Sequence, residues 1–328
     1  MKKFINNPKK IKTEMLEGLA LAGGGIVTVT ESGLVISKAL QHADRVTVIG
    51  LSTIGNEPFS SGFAGEGLLD IAVTGGLFAG PGPSACAEAI QLADKGRGVL
   101  LIAGNHTGDN LTCSIALKEA QRLGVRAELV TVCDDACDPG AQKENCRGLL
   151  GCLPVYKAAA AAAAAGKSLE ETAAASAKAA ANTASVTVTA SGGTDPASGR
   201  ALTAAGERTV KFGTGLSGEG GRDMAYTAAD ETAAAMLDAL IARLGLQEGE
   251  RVLLLVSGSG ATGLMEQLIF YRSCCLYLAG RGIEVAAGTA GELLTVQEEA
   301  GISVCLCRAD EEMTAAWQAP CRAVFYKN

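Results

Sequence analysis

The chain has 328 residues and a formal net charge of −7, and 48% of its residues are hydrophobic while 19% are charged. This composition excludes extended disorder, and the lack of a basic stripe leaves no electrostatic basis for a nucleic-acid partner. The longest apolar runs have the length of a strand and the N-terminus has no apolar signal segment, so we expect a cytoplasmic protein with no membrane partner.

The first half of the sequence alternates strand and helix patterns. Apolar runs at residues 45–49, 98–103 and 126–132 predict buried strands, and a helix is expected at about 113–123. Strands of this kind, joined by helices, are typical of a mostly parallel sheet covered on both faces. We therefore predict an N-terminal α/β domain over residues 1–182.

An alanine-rich stretch near the middle of the chain predicts two helices. Residues 158–165 favour a helix by composition, and Gly166 interrupts it. Ser168 with Glu171 three residues later forms a capping-box signature. A second helix is therefore expected to run from there to about residue 181.

The second half of the sequence repeats the alternation and predicts a C-terminal α/β domain over residues 183–328. The predicted strands lie at residues 184–189, 251–256, 282–286 and 302–307, and the predicted helices at 228–244 and 264–278. The expected fold class is therefore α/β, with two domains that each contain a mostly parallel or mixed sheet flanked by helices.

Residues 213–221, with the sequence GTGLSGEGG, contain five glycines. Three of these glycines match the dinucleotide pattern GxGxxG, but a dinucleotide site needs a helix that opens directly from the loop. Here the next helical pattern begins only near Ala225, and Glu219 within the loop would oppose a pyrophosphate. The alternative is a hairpin or surface loop, and so many glycines indicate a backbone that approaches another group closely.

Four polar or glycine-rich loops follow predicted strands, where α/β sheets bind their ligands. They lie at residues 50–58, 75–83, 104–109 and 257–263. The first three belong to one predicted domain, so we expect them to converge on a small polar ligand. The fourth either binds a phosphate or only turns the chain.

Two titratable residues of the third loop are candidates for chemistry. Asp109 is the best general acid or base, because a carboxylate in a dry pocket can have a raised pKa. An aspartate just before a helix can instead be an N-cap, and this alternative stays open. His106 either binds a ligand, holds the carboxylate or has a structural role.

The chain contains eleven cysteines, an odd number that does not resemble a disulfide framework. The nearest arrangement to a metal cluster is Cys133 with Cys137, and only two histidines occur in the chain. We therefore predict reduced cysteines and no metal site.

Seven motifs between residues 1 and 320 occur in the order and spacing of one family. They lie at residues 1–20, 55–58, 63–67, 99–109, 213–219, 256–263 and 316–320. In these motifs the chain resembles the substrate-binding subunit of dihydroxyacetone kinase. The resemblance implies a homodimer whose first domain binds a short polyol or keto-sugar, with ATP-Mg or another phosphoryl donor carried by a separate subunit. It implies no cofactor bound directly to this chain, which agrees with the lack of a GxxxxGK[ST] motif.

The sequence departs from that family at positions that hold its substrate. The resemblance implies that the family has a histidine that bonds covalently to the ketone where this chain has Ser217, and a second histidine where this chain has Asn56. It also implies a lysine in place of Gly104 and a small hydroxyl residue in place of Gly80. A serine hydroxyl is a poor nucleophile without a base, so we expect no covalent attachment. The candidate site comprises the catalytic residue Asp109 and the substrate-binding residues Thr53, Gly55, Asn56, Gly80, Gly104, His106 and Ser217.

Two functions are compatible with this sequence. The first is a kinase-family substrate subunit that binds a short keto-polyol without covalent attachment, with Asp109 as general base. A bolder version makes His106 the base for Ser217 across the two domains. The alternative is a catalytically silent paralogue that senses a small ligand and regulates a transcription factor or a kinase partner.

Overall fold

Two six-stranded sheets form the centre of the molecule, which a computed structural model describes over residues 2–328. The strands of the first half are β1 Val27–Val29, β2 Leu34–Ser37, β3 Thr47–Ile54, β4 Gly65–Glu66, β5 Ile71–Leu77, β6 Val99–Gly104 and β7 Ala127–Val132. The helices of this half are α1 Ile11–Ala22, α2 Pro83–Ala93, α3 Thr107–Arg122, α4 Cys152–Ala164 and α5 Leu169–Ala181.

The second half contributes the other sheet and the end of the chain. Its strands are β8 Thr183–Ser191, β9 Thr209–Thr214, β10 Gly220–Ala225, β11 Arg251–Gly258, β12 Glu284–Gly291, β13 Ala300–Arg308 and β14 Arg322–Ala323. Its helices are α6 Ala229–Leu244, α7 Leu264–Gly280 and α8 Glu311–Gln318.

Both sheets are mixed, which confirms the predicted fold class. The first sheet has the order β1-β2-β5-β3-β6-β7, and β5, β3, β6 and β7 run parallel. The second sheet has the order β10-β9-β8-β13-β11-β12, and only β11 and β12 are parallel neighbours. Ile49 at the centre of the first sheet pairs with Ile71 on one side and Leu101 on the other.

The sheets and helices stack as five layers, with α4, α5 and α8 between the two sheets. Alternate residues of one strand face different layers, as the two-residue period of a strand requires. In β6, Leu101 packs toward α2 and α3 while Leu100 packs toward α4. Because α4 is enclosed on both sides, small alanine side chains are suited to it. Ser168 and Glu171 form the predicted capping box at the start of α5.

Several element boundaries differ from the sequence predictions. Helix α3 begins at Thr107, six residues earlier than expected, because His106 takes the extended N-cap position. The segment Gly220–Ala225, where a helical pattern was expected to begin, is strand β10, and the next helix starts at Ala229. Strands β1 and β2 were not predicted, since they are short. The strand expected before the loop at residues 75–83 had no predicted bounds, and it is β5.

The last residues of the chain return to the first half of the molecule. Strand β14 pairs with β4, where Arg322 lies opposite Glu66. The amide of Phe325 donates to the Gly62 carbonyl at 2.9 Å. The domain boundary between residues 182 and 183 stays a prediction.

Candidate functional site

A cavity of about 240 Å³ lies at the carboxyl ends of β3, β5 and β6, where the β9–β10 hairpin meets them. Its lining residues are Thr53, Asn56, Phe78, Gly80, His106, Gly108, Asp109, Leu216, Ser217 and Glu219. Six of the eight predicted site residues are among them. Gly55 and Gly104 do not line this cavity and lie behind residues that do.

Asp109 is the third residue of α3 and faces the cavity. It is therefore part of the helix and is not its N-cap. Burial raises the pKa of this carboxyl, and the nearby His106 lowers it to a smaller extent. Within residues 2–328 the carboxylate receives no hydrogen bond, so its oxygens are available to a ligand.

Gly80 leaves the space that the Asp109 carboxylate occupies. A Cβ atom built on Gly80 would overlap Asp109 Oδ1. Bare backbone thus lies directly against the carboxylate, and any side chain at position 80 would displace it.

His106 has one of its two ring nitrogens fixed by the protein. Nε2 lies 2.8 Å from the Gly148 carbonyl oxygen. Because a carbonyl only accepts hydrogen bonds, Nε2 carries a proton, and Nδ1 is the ring's acceptor whenever the ring is neutral. Gly104 lies behind this ring: a Cβ atom there would be 3.2 Å from His106 Cδ2. The room for a lysine side chain at position 104 is therefore already filled.

Asn56 joins the first sheet to the hairpin and has no exposed surface. Its amide nitrogen donates to the Leu216 carbonyl at 2.7 Å and to the Thr295 carbonyl at 2.6 Å. Its side-chain oxygen accepts from the Thr53 hydroxyl. All the polar atoms of this side chain are therefore used within the protein, and its clearest role is to hold the turn that carries Ser217.

Ser217 is bonded within its own turn. Its hydroxyl donates to Glu219 Oε2 at 2.8 Å, and its amide donates to the same oxygen at 2.9 Å. His106 lines the same cavity, but the hydrogen-bond partner of the serine is Glu219. Burial raises the pKa of Glu219, but the hydrogen bonds from Ser217 and the charge of Arg147 outweigh it and lower that pKa.

Arg147 connects the hairpin to the loop after β7. Its guanidinium lies 2.7 Å from the buried carboxylate of Asp135 and 3.1 Å from Glu219. It also donates to the Gly213 carbonyl at 2.7 Å. The hairpin is thus attached to the first half of the molecule by an ion-pair network and by Asn56.

Gly55 and Phe78 shape the remaining wall. Phe78 has φ of 50°, which is uncommon for a bulky residue. A Cβ atom on Gly55 would lie 2.7 Å from the Phe78 ring, so glycine at this position allows the ring its place. The Gly55 amide donates to the Glu57 carboxylate at 3.0 Å.

Sequence reasoning missed Phe78, Leu216, Glu219 and Arg147 as parts of the site. Leu216 and Glu219 lie within the glycine-rich segment that was singled out, and only their roles were missed. Arg147 had no signal in the sequence, because its partners are 12 and 72 residues away.

The loop at residues 257–263 is fastened to neighbouring backbone. The Ser257 hydroxyl accepts from the amides of Leu293 and Leu294, both at 3.0 Å. The Thr262 hydroxyl donates to the Gly301 carbonyl at 2.7 Å. These contacts favour the interpretation that the loop turns the chain.

All eleven cysteines are free thiols. Between residues 2 and 328, no three or more His, Cys, Asp or Glu side chains are grouped so that they could hold a metal ion. The same part of the chain has no helix with the length and apolar character needed to cross a membrane.

The fold and the cavity define a two-sheet α/β protein with a small polar site at the carboxyl ends of the first-sheet strands, where the β9–β10 hairpin of the second sheet meets them. The family model for the Dak1 domain matches residues 17–325, and the chain belongs to this family. The resemblance drawn from the motifs is thereby confirmed.

Individual relatives agree with this assignment. The chain is 32% identical over 330 residues to "PTS-dependent dihydroxyacetone kinase 2, dihydroxyacetone-binding subunit DhaK" of Listeria innocua, covering 100% of this chain and 99% of that protein. It is also 32% identical to "L-erythrulose kinase" of Pectobacterium atrosepticum, over 99% of this chain and 56% of that protein. A solved structure described as "Dihydroxyacetone kinase operon co-activator Dha-DhaQ" superposes with a TM-score of 0.89 at 27% identity, over 96% of this chain and 98% of that one.

Proposed function

We propose that this chain is the substrate-binding subunit of a kinase that phosphorylates a short keto-polyol, which it holds without a covalent bond. The observation that carries the proposal is the convergence of Asp109, His106 and Ser217 on one cavity. The names of the Listeria and Pectobacterium relatives support a ketose as the ligand.

Asp109 acts as the general base. Its carboxylate accepts the proton of a substrate hydroxyl while the oxygen of that hydroxyl attacks the incoming phosphorus atom. Burial raises its pKa, which makes the ionised form a stronger base near neutral pH. Its position in the first turn of α3 favours the negative charge at the same time.

The ligand is bound by hydrogen bonds and shape. The Ser217 hydroxyl donates to Glu219, whose lowered pKa makes it too weak a base to activate the serine. Nδ1 of His106 is the acceptor that remains for a substrate hydroxyl. These features support reversible binding in place of a carbon–oxygen or carbon–nitrogen bond.

The cavity has room for a ligand with more than three carbons. Its volume of about 240 Å³ equals roughly eight water volumes in the liquid. A four-carbon ketose is therefore a ligand to test beside dihydroxyacetone.

The phosphoryl donor, ATP-Mg or a phosphorylated protein, is carried by a separate subunit. The sequence lacks a GxxxxGK[ST] motif with which to hold a nucleotide. The subunit name of the Listeria relative supports such a division of labour.

The test mixes the purified chain with the ATP-binding kinase subunit and a panel of dihydroxyacetone, erythrulose and glycerol, and follows phosphate transfer. We expect transfer to at least one ketose, and Asp109→Asn should lower the rate by roughly 10²–10⁴-fold, the usual contribution of a general base. Glu17→Gln, an exposed change on α1, serves as the control and should leave the rate unchanged. Borohydride treatment with dihydroxyacetone should leave the intact mass of the chain unaltered.

Transfer to no ketose, or full transfer by Asp109→Asn, would contradict the enzyme proposal. A mass adduct at Ser217 would contradict reversible binding.

A second candidate is a ligand-sensing regulator with no catalytic activity. The likeness to the co-activator structure over nearly the whole chain favours it. In that case a ketose would raise the melting temperature and bind with a measurable Kd, while no phosphate transfer would occur with any kinase subunit.

A further inference from the structure

A buried carboxyl group lies behind the turn of the β9–β10 hairpin. Glu299 immediately precedes β13 and has no exposed surface. Its Oε1 accepts from the Thr189 hydroxyl at 2.7 Å. Because the one hydroxyl proton of Thr189 is used in this bond, the Thr214 hydroxyl donates to Thr189 at 2.7 Å. Thr214 ends β9, so a chain of hydrogen bonds connects the carboxyl to the base of the turn.

The second oxygen of Glu299 faces the turn itself. A Cβ atom on Gly218 would lie 3.5 Å from Oε2. The Gly218 carbonyl accepts from the Thr203 hydroxyl at 2.5 Å, which holds the turn at this place. Within residues 2–328, Oε2 has no hydrogen-bond partner. A buried oxygen with no partner is compatible with a neutral carboxyl, whereas an ionised one would be an unpaired charge.

No positive charge in the described chain balances the ionisation of Glu299. The uncharged polar groups near it are the hydroxyls of Thr189, Thr203, Thr214 and Ser259. Burial raises the pKa of Glu299 to about 7 against the hydrogen bond from Thr189, and the negative charge of Glu219 in the turn adds to the rise. The adjacent Glu298 is paired with Lys3, and Glu219 is paired with Arg147.

The turn is the part of these surroundings that can move away from the carboxyl. Strands β8 and β13 on the other side are interior strands of the second sheet. The turn, in contrast, is attached through a few side-chain contacts, among them the bond from Asn56 to the Leu216 carbonyl. Displacement of the turn would admit water to Glu299 and increase its distance from Glu219.

We propose that Glu299 is a positioning residue for the candidate site: its neutral carboxyl allows the turn to close, and its ionisation releases the turn. Leu216, Ser217 and Glu219 of this turn line the cavity, while Glu299 does not. A residue outside the cavity thus controls whether one of its walls is formed. The proposal goes beyond the kinase function and does not depend on it.

The test follows amide hydrogen exchange of residues 213–221 in the ligand-free chain at pH 6 and pH 8, corrected for the intrinsic exchange rate at each pH. In the closed turn the pKa of Glu299 is about 7, and opening returns it toward 4.5. The open fraction, and with it the corrected exchange rate, should therefore rise about tenfold between these two pH values. Thermal unfolding shows that the chain is folded at both.

Three variants separate Glu299 from other titrating groups. Glu299→Gln keeps the acceptor for Thr189 but cannot ionise, so the two corrected rates should agree within about twofold. Glu299→Met cannot ionise either, and it serves if the added amide group prevents folding. Glu292→Gln is the matched control and should keep the native tenfold rise. Burial raises the pKa of Glu292 as well, but its side-chain partner is Gln267 on α7 at 2.5 Å.

Three outcomes would overturn the proposal. The first is a native exchange rate that is the same at both pH values. The second is a tenfold rise that persists in a folded Glu299→Gln or Glu299→Met chain. The third is loss of the rise in Glu292→Gln, which would show that the effect does not come from Glu299. Because no ligand is used, a failure to bind or phosphorylate any ketose would contradict the proposed function and leave this result standing.

Discussion

The two walls of the cavity differ in how their polar atoms are used. On the first-sheet wall, the Asp109 carboxylate and Nδ1 of His106 have no protein partner in residues 2–328. On the hairpin wall, Ser217 donates to Glu219, and Glu219 is paired with Arg147. Groups that are already paired fix geometry, whereas groups that are free can act on a ligand. Changes to the hairpin wall should therefore alter stability first, and changes to the first-sheet wall should alter ligand chemistry first.

The largest effect on stability is expected for Arg147→Ala. Asp135, 3% exposed, would lose its cation, and leaving a buried charge unpaired costs about 3 kcal/mol of unfolding free energy. Arg97→Ala is the matched control: it removes an ion pair to Asp44 whose partners are 60% and 78% exposed, and should cost less than about 1 kcal/mol. Urea unfolding measures the free energy of unfolding of both variants. Equal losses of free energy would show that the Arg147 ion-pair network does not hold the hairpin.

A pH-dependent effect of similar size is expected for Glu299, which lies behind the hairpin wall with no exposed surface. Its Oε1 accepts from the Thr189 hydroxyl at 2.7 Å, while Oε2 has no partner in the described chain. Burial raises the pKa of this carboxyl from 4.5 to about 7.

The folded state thus keeps this proton to a higher pH than the unfolded state does. Protonation of Glu299 therefore stabilises the folded state fully below pH 4.5, and this contribution is lost as the pH rises to about 7. The free energy of unfolding should change by about 3 kcal/mol across this range. Glu299→Gln removes the dependence, so at pH 8 the variant should be more stable than the native chain, and at pH 5 the difference should shrink. Urea unfolding at both values checks this, and parallel pH profiles would contradict it.

An intermediate effect is expected for Gly80→Ser on the first-sheet wall. The new Cβ would overlap Asp109 Oδ1, so the carboxylate must move and kcat/KM should fall about tenfold with little loss of stability. Gly82→Ser is the matched control, because a Cβ there meets nothing within 4 Å and serine is a favourable N-cap for α2. Equal kinetics for the two variants would show that the position of Asp109 is not limiting.

The smallest effect is expected for Ser217→Ala. The lost hydroxyl donates only to Glu219 of the same half-exposed turn, so the Kd for a ketose should change by less than about threefold. Isothermal titration measures it. A hundredfold loss would instead assign the serine a direct role in holding the ligand.

The sequence predicts those strands and helices whose own residues show the apolar pattern of a buried element. The runs that became β3, β6 and β11 are mostly apolar because both faces of those strands are covered. The loops that follow β3, β5 and β6 were correctly expected to converge, since parallel strands end at one edge of a sheet.

The contacts that decide the roles of residues are not local. Asn56 looked like a ligand contact, but its amide is engaged by carbonyls 160 and 239 residues away. The sequence left residues 213–221 as either a dinucleotide-binding loop or a hairpin or surface loop. The structure shows a β9–β10 hairpin, whose strand register across the glycines is not set by the local sequence. Glycine patterns indicate close approach, but they do not identify the group that approaches.

The return of the last residues to β4 has a consequence for synthesis of the chain. Lys157, which is buried in α4, donates to the Ala319 carbonyl. The Ala323 amide donates to the Tyr326 carbonyl, next to the bond between the Phe325 amide and the Gly62 carbonyl. N-terminal regions ordinarily fold while the ribosome is still translating. Here the first half of the chain leaves the ribosome with the edge of β4 uncovered, and Arg322 and Ala323 cover that edge only after they have been translated. A chain cut short before residue 322 would therefore lack the strand that covers β4, although all residues of the first sheet would be present.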